Sequence, residues 1–451
     1  MYQKILIANR GEIAVRIIRA CREMGIVTVA VCSTADREAL HARLADECVC
    51  IGPSKAKDSY LNMEQILSAA VSTGAQAIHP GFGFLSENTK FARMCEQCGI
   101  DFIGPSTESI RKMGDKAQAR KTMRDARVPV VPGTEDALSD VKKGKQYADA
   151  IGYPVIIKAS AGGGGKGMRV AQCPEEFEEL FLLAQEETRQ SFSDDQMYIE
   201  KYLEHARHIE FQILADKYGN TIHLGERDCS IQRRHQKMVE ETPAPALSET
   251  LREKMGQAAV RAARAAGYYS AGTVEFLVDA QENFYFMEMN TRIQVEHPVT
   301  EMVTGVDLIK QMIRISAGEK LEYRQEDISL KGCAIECRIS AEDADRGFLP
   351  CAGKVTGLHI PGGNGIRVDS LLYSGCQISP YYDSMLAKVI VHADTRQEAI
   401  SRMKSALGEF VIEGITTNLE FQHHLMEDRR FSEGNVEAIN AALEERCQKA
   451  C

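Results

Sequence analysis

The sequence has no run of about 18 apolar residues, so no membrane-spanning helix is expected. It also has no excess of positive charge. With 54 Lys and Arg against 64 Asp and Glu, the formal net charge is −10, which speaks against a general nucleic-acid binder but leaves room for a local basic pocket. The opening MYQKILIANRGEIAVRII reaches Asn9-Arg10-Gly11-Glu12 after a short strand. It lacks the apolar core and small-residue cleavage site of a secretory signal, and the expected location is cytoplasmic. The CxxC of Cys95 and Cys98 has no second pair at zinc-ribbon spacing, and most of the 14 cysteines read as small buried hydrophobes. That first turn is not GxGxxG, so no dinucleotide site is indicated. No tandem repeat is present.

What is there reads as an ordinary globular protein. At 451 residues, 44 % hydrophobic and 26 % charged, about three domains are expected. KILIAN, IVTVAVC, TGAQAIHPG and IDFIG alternate with amphipathic segments such as EIAVRIIRACREMG, which ends at Gly25. That is βαβ grammar and predicts a mostly parallel sheet over the first 110 or so residues. Residues 106–130 read as helical, VPVVPG as a connector, and the chain from about 204 as strand-rich, turning helical after Arg396.

YPVIIKASAGGGGKGMRV predicts strand, loop, strand. Gly162–Gly165 would let a phosphate approach the backbone, with Lys158 and Lys166 supplying charge. GKGM before a strand is not a Walker A loop. A flexible hairpin tip is the plainer alternative.

FYFMEMNTRIQVEH, from Phe284 to His297, places Glu288, Asn290, Arg292, Gln294 and Glu296 at spacing two. An extended chain would line all five on one face. If SAGTVEFLVDAQENFYFMEMN forms a hairpin around an even-length turn at Gln281-Glu282, Glu275 falls opposite Glu288. Two carboxylates that close need a proton or a cation, and hard oxygen ligands beside a phosphate loop suggest Mg²⁺ or Mn²⁺. The alternative is a solvent-facing edge hairpin. Arg292 can grip an oxyanion and Glu296 can take a proton, although a mutual Arg292–Glu296 ion pair is the simpler reading.

KILIANRGEIAVRIIRA, HPGFGFLSEN, MGDK, IGYPVIIKASAGGGGKGMRV, EKYLEHARHIEFQ, ERDCSIQRRHQK, EMNTRIQVEHPVTE, ECRISAED and PYYDSMLAK follow one another in the order seen in the biotin carboxylase family, in the ATP-grasp superfamily, which this sequence resembles over essentially its whole length. The resemblance implies an α/β and α+β architecture: a Rossmann-like parallel-sheet domain (1–114), an ATP-grasp domain (115–330) with a mobile lid at about 131–203, and a C-terminal mixed domain (331–446). It implies ATP binding by Lys116, Lys158, Gly163, Gly164, Gly165, Met168, Glu200, Lys201, Leu203, His208, Gln232, His235, Glu275, Leu277 and Glu288. Glu275, Glu288 and Asn290 would hold the metal ions. Lys237, Arg292, Gln294 and the backbone of Val295 would hold bicarbonate, Glu296 would deprotonate it, and Arg338 would steady the enolate-like form of biotin. Lys237, Arg292, Glu296 and Arg338 are thus the expected catalytic set.

The implied activity is carboxylation of biotin, on a biotin carboxyl carrier protein, by ATP and bicarbonate. Carboxyltransferase subunits are the further partners expected, with neither nucleic acid nor membrane. The first expectation is the acetyl-CoA carboxylase half-reaction of fatty acid biosynthesis; a pyruvate or other acyl-CoA carboxylase is the alternative. No Ala-Met-Lys-Met motif occurs, so the carrier is expected on another chain or a missing segment. Phe82 stands where tyrosine is commoner, near the expected biotin side. Asn364 replaces a common phenylalanine near the usual dimer contact, but Arg19, Glu23 and Arg367 remain, and a homodimer is expected. A scaffold without turnover would be expected to lose one of Lys237, Glu288, Arg292, Glu296 or Arg338. A carbamoyl-phosphate-forming relative would be expected to lack the Arg338 motif.

Overall fold

The structure is a computed structural model, described here for residues 1–159, 168–192, 195–234, 236–245 and 247–449. Strands Lys4–Ile7, Val27–Cys32, Glu47–Cys50, Ala77–His79 and Asp101–Phe102 form a five-stranded parallel sheet, with Lys4–Ile7 central between Val27–Cys32 and Ala77–His79. Helices cover both faces, so Ile5, Leu6 and Ile7 are all buried and the strand needs no polar alternation. Helix Gly11–Glu23 packs here and is closed by Gly25 at φ +70, a left-handed turn that glycine makes without a Cβ clash. The βαβ expectation is met.

Helices Thr107–Gly114 and Lys116–Asp125 follow, as the sequence predicts. Strands Val155–Ala159, Arg169–Ala171 and Met197–Lys201 make a small antiparallel sheet with its own core of Phe177, Phe181, Ile157 and Ile199. The strands flanking the glycine run are therefore present; the run itself lies outside the described residues.

The largest element is an eight-stranded antiparallel sheet. Its order is Phe284–Asn290, Ser270–Val278, Arg207–Ala215, Thr221–Arg233, Gln236–Thr242, Cys333–Ser340, Met385–Ala393 and Ile366–Ser370. The pairing of Gln236–Thr242 with Cys333–Ser340 carries one sheet across residue 330. Helix Glu249–Ala266 covers it and is absent from the sequence reading, although Ser248 and Gly267 mark its ends plainly. Of the described cysteines, Cys21, Cys32, Cys95, Cys229, Cys337 and Cys376 are buried, while Cys48, Cys50 and Cys98 are exposed, fewer buried than expected. Among the described residues no helix is long and apolar enough to cross a membrane.

Candidate active site

A cleft of about 1880 Å³ opens between the small sheet and the large one. Its floor is a row of charged side chains set by strand register. Glu288 opposes Glu275, Glu275 opposes Glu210, and Glu210 opposes Arg227, across four adjacent strands. Alternation turns these groups to one face and sends Ile209, Phe211, Val274 and Phe276 into the core on the other.

The Glu275–Glu288 pairing arises differently from the expected route. Near the turn the pairs are Val278–Phe284, Leu277–Tyr285 and Phe276–Phe286, and the Asp279 N–H bonds the Asn283 carbonyl at 2.9 Å. The loop is therefore odd in length, centred on Gln281, not the even loop assumed. A β-bulge at Met287 then inserts one residue and brings Glu288 opposite Glu275. Without the bulge, Glu288 would share the core face of Phe286. The solvent-facing alternative is half true: Glu275 is buried, whereas Glu288 on the edge strand is exposed to the cleft.

The strand also stops at Asn290. Thr291 to Glu296 form a loop before helix His297–Thr304, which Pro298 helps to start. A continuous extended face is thus not what gathers the five polar groups, yet Glu288, Asn290, Arg292, Gln294 and Glu296 all line the cleft.

Lys237, on strand Gln236–Thr242, donates to Glu210 Oε2 at 2.5 Å, Glu275 Oε1 at 2.9 Å and Glu296 Oε1 at 2.7 Å. Burial opposes its charge, but the three carboxylates outweigh that and hold its pKa well above the usual lysine range. Arg338 donates from Nε to Glu240 Oε1 at 2.7 Å and from Nη2 to Glu296 Oε2 at 2.9 Å. Burial pushes the Glu296 carboxyl up, yet Lys237 and Arg338 bring it below the usual range, so it is held ionised between two cations.

Arg292 does not pair with Glu296. Its Nε donates to Glu87 Oε2 at 3.0 Å and its Nη2 to Asn290 Oδ1 at 3.0 Å. Glu87 Oε1 also accepts from the Thr291 N–H and hydroxyl. Gln294 Nε2 donates to Glu275 Oε1 at 2.7 Å, and its Oε1 accepts from Arg227 Nη2 at 2.7 Å. Val295 lines the cleft beside it.

At the other end, Lys158 Nζ donates to Glu200 Oε2 at 2.6 Å and Arg120 also pairs with Glu200. Lys116 stands nearby, its pKa lowered by burial and by Lys158. Met168, Lys201, Leu203, Gln232 and Leu277 line this part. His208 Nε2 lies 3.1 Å from Glu275 Oε2; burial opposes its charge, but Glu275 pushes its pKa up to about 9.

Among the described residues, then, the expected site residues converge in this cleft with one exception. Phe82 does not line it. Its carbonyl accepts from Asn9 Nδ2 at 2.7 Å, and its side chain packs on a core that joins the N-terminal sheet to the large sheet and to Ile293 of the active-site loop. Gly163, Gly164, Gly165 and His235 lie outside the described residues.

Four functional-looking residues escape the sequence reading: Glu87, Glu210, Arg227 and Glu240. HPGFGFLSEN reads mostly as scaffold, yet its Glu87 holds Arg292. Glu210 alternates with Ile209, Phe211 and Ile213, a contrast that could have found it, whereas Arg227 and Glu240 sit among other charged residues of their strands and give no such signal.

The oxygen donors suit a hard divalent cation. Glu275 and Glu288 face each other across adjacent strands, a crowding of like charge that a cation relieves.

Residues 1–110 match the family described as "Biotin carboxylase, N-terminal domain", 115–324 "Carbamoyl-phosphate synthase L chain, ATP binding domain", and 336–440 "Biotin carboxylase C-terminal domain". Biotin carboxylase 1 of Bacillus subtilis is 58 % identical over 96 % of this chain and 97 % of its own. A pyruvate carboxylase subunit of Methanothermobacter thermautotrophicus is 53 % identical over 97 % of this chain and 89 % of its own. Among solved structures, the biotin carboxylase domain dimer of Hydrogenobacter thermophilus 2-oxoglutarate carboxylase, in complex with MgADP, ADP and bicarbonate, is similar at 52 % identity. It covers 96 % of each chain with a TM-score of 0.92.

The fold and cleft are those of an ATP-grasp enzyme, an ATP-dependent ligase. Within that class, the chain belongs to the biotin carboxylase family and carboxylates biotin with bicarbonate at the expense of ATP.

Proposed function

We propose that this cleft makes carboxybiotin on a biotin carboxyl carrier protein, as the first half-reaction of an acetyl-CoA carboxylase feeding fatty acid biosynthesis in the cytoplasm. Carboxyltransferase subunits complete the assembly. The observation that supports this most is the meeting of Lys237, Arg338 and Glu296 at one point beside the Glu275–Glu288 pair.

Lys116 and Lys158 neutralise the nucleotide phosphates, and the backbone of Glu200 to Leu203 receives the base. Lys237 and Arg292 hold bicarbonate with Gln294 and the Val295 N–H. Glu296 takes the bicarbonate proton; the freed oxygen attacks the γ-phosphorus, and the bond to ADP breaks. Glu275, Glu288 and Asn290 would hold Mg²⁺, which would supply charge neutralisation for that transfer. The resulting carboxyphosphate splits to CO₂ and phosphate, the phosphate accepts the N1′ proton of biotin, and N1′ attacks CO₂. Arg338 stabilises the negative charge on the ureido oxygen. In the free site Glu296 is a poor base, because two cations lower its pKa. Bicarbonate drawing Lys237 away, and biotin drawing Arg338 away, would raise its basicity when it is needed. Lid closure over the cleft excludes water from the labile intermediates.

The test is ADP release by the purified chain with Mg²⁺ and bicarbonate. Dependence on bicarbonate, a rise with free biotin and formation of carboxybiotin support the reading; turnover indifferent to bicarbonate sinks it. Co-purification of the carrier and transferase then separates acetyl-CoA from pyruvate or another acyl-CoA as acceptor. The 2-oxoglutarate and pyruvate carboxylases among the relatives keep that second reading open. A homodimer through the face of Arg19, Glu23 and Arg367 is checked by sedimentation.

A further inference from the structure

Two stretches that the reaction leaves unused meet beneath the active-site loop. One is Asn9-Arg10-Gly11-Glu12, at the start of the first helix. The other is PYYDSMLAK, which ends at Lys388. Lys388 is 0 % exposed, and its Nζ lies 3.2 Å from Glu12 Oε1, itself 2 % exposed. That same Nζ donates to the backbone carbonyl of Val295 at 2.7 Å. A lysine sealed in the interior is costly, and a methionine would fill the volume without that cost. The surroundings keep it charged nonetheless: burial opposes the ammonium, but Glu12, Glu336 and Asp369 outweigh that.

A second buried donor acts on the preceding peptide. His297 Nδ1 lies 2.8 Å from the Gln294 carbonyl, which can only accept, so Nδ1 carries the proton. In a trans peptide the N–H points opposite to the C=O. Holding the Gln294 and Val295 carbonyls from beneath turns the N–H groups of Val295 and Glu296 the other way. Both residues line the cleft. Successive N–H groups presented together form an anion-binding concavity.

We infer that Lys388 is a positioning residue for the bicarbonate step: tied to Glu12, its ammonium holds the Val295 carbonyl and so aims the Val295 and Glu296 N–H groups and the Glu296 carboxylate at the bound anion. It touches no substrate. The inference rests on the bicarbonate reading of this loop and extends it to the N-terminal domain, because Glu12 belongs to the first helix and Lys388 to the large sheet. It also gives the two unused motifs one shared purpose.

The experiment is steady-state ADP release by the full chain carrying Lys388→Met. The expected result is a bicarbonate KM raised about tenfold, the scale of one lost charge-assisted hydrogen bond, with the ATP KM within about twofold of the parent. Because the single change leaves Glu12 buried without its cation, Glu12→Gln/Lys388→Met is made alongside. This double variant should melt close to the parent and still show the raised bicarbonate KM. An unchanged bicarbonate KM in either folded variant overturns the inference. So does a loss of kcat that tracks the folded fraction while every KM stays put, and so does failure of both variants to fold. The absence of bicarbonate-dependent ADP release in the unsubstituted chain would instead overturn the reading of the site itself.

Discussion

Strand Lys4–Ile7 of the parallel sheet buries Ile5, Leu6 and Ile7 in succession, whereas strand Arg207–Ala215 of the antiparallel sheet buries His208, Glu210 and Gln212 between Ile209, Phe211 and Ile213. Both strands are dry, but only one has two apolar faces. In strand Lys4–Ile7 apolar burial on both faces supplies most of the stability. In the second, one face does that work and the other carries charges that must be neutralised by neighbours. Arg227, fully buried, shows how: it donates to Glu210, Gln212, Thr273, Thr300 and Gln294. The second sheet can therefore hold ions ready in a low-dielectric place, already charged and close to where a substrate binds. The first sheet cannot, and it serves as the body against which the charged face is closed.

The comparison is broken most forcefully at Lys237. Lys237→Met leaves Glu210, Glu275 and Glu296 facing one another without their shared cation. Bicarbonate-dependent ADP release should fall in kcat/KM by about a thousandfold, roughly 4 kcal/mol. Arg227→Met should cost about 3–5 kcal/mol in chemical denaturation, because Glu210 loses its buried partner, and should also raise the bicarbonate KM through Gln294. Its counterpart in the parallel sheet, Ile7→Ala, should cost about 3 kcal/mol by opening a cavity while leaving the bicarbonate KM of the folded fraction unchanged. If Ile7→Ala moved that KM and Arg227→Met did not, the division of labour between the sheets would be wrong.

A pH scan sharpens the same contrast. Burial pushes His41 down to about 4 and His79 down to about 3, both in the N-terminal domain. Unfolded histidine titrates near 6.5, so the unfolded chain binds more protons below that pH. Their stabilisation is present above about 6.5 and is lost as pH falls toward the folded values, by roughly 3 kcal/mol for His41 and roughly 5 kcal/mol for His79 at the limit. His41→Gln should flatten the decline in melting temperature between about pH 6.5 and 4. An unaltered slope would remove His41 from the account. The smallest effect is expected at Glu87→Gln, where Arg292 keeps Asn290 as a partner. The bicarbonate KM should rise several-fold, about 1 kcal/mol, with little change in melting.

Much of the site was legible as residue types. The acidic pair at Glu275 and Glu288, the run from Asn290 to Glu296, and the lysine of QRRHQK all reach the cleft. The way they do so was not legible. The odd hairpin loop and the bulge at Met287 are two departures from the assumed register, and together they restore the pairing that an even loop would give. Glu87, 205 residues from its Arg292 partner, and Glu12, far from Lys388, give no local pattern that distinguishes them from scaffold.

The sequence by itself determined the strand–helix grammar of the N-terminal domain, the helix end at Gly25, the family and the chemistry on offer, because periodicity, capping and residue type act over a few positions. Tertiary structure alone decided which carboxylates share Lys237, that Arg292 pairs with Glu87 and not Glu296, that Phe82 stays out of the cleft, and that Glu296 is held ionised. Those outcomes depend on strand register, burial and distance between groups far apart in the chain, and a charge's behaviour is set by the neighbours that register and burial bring to it.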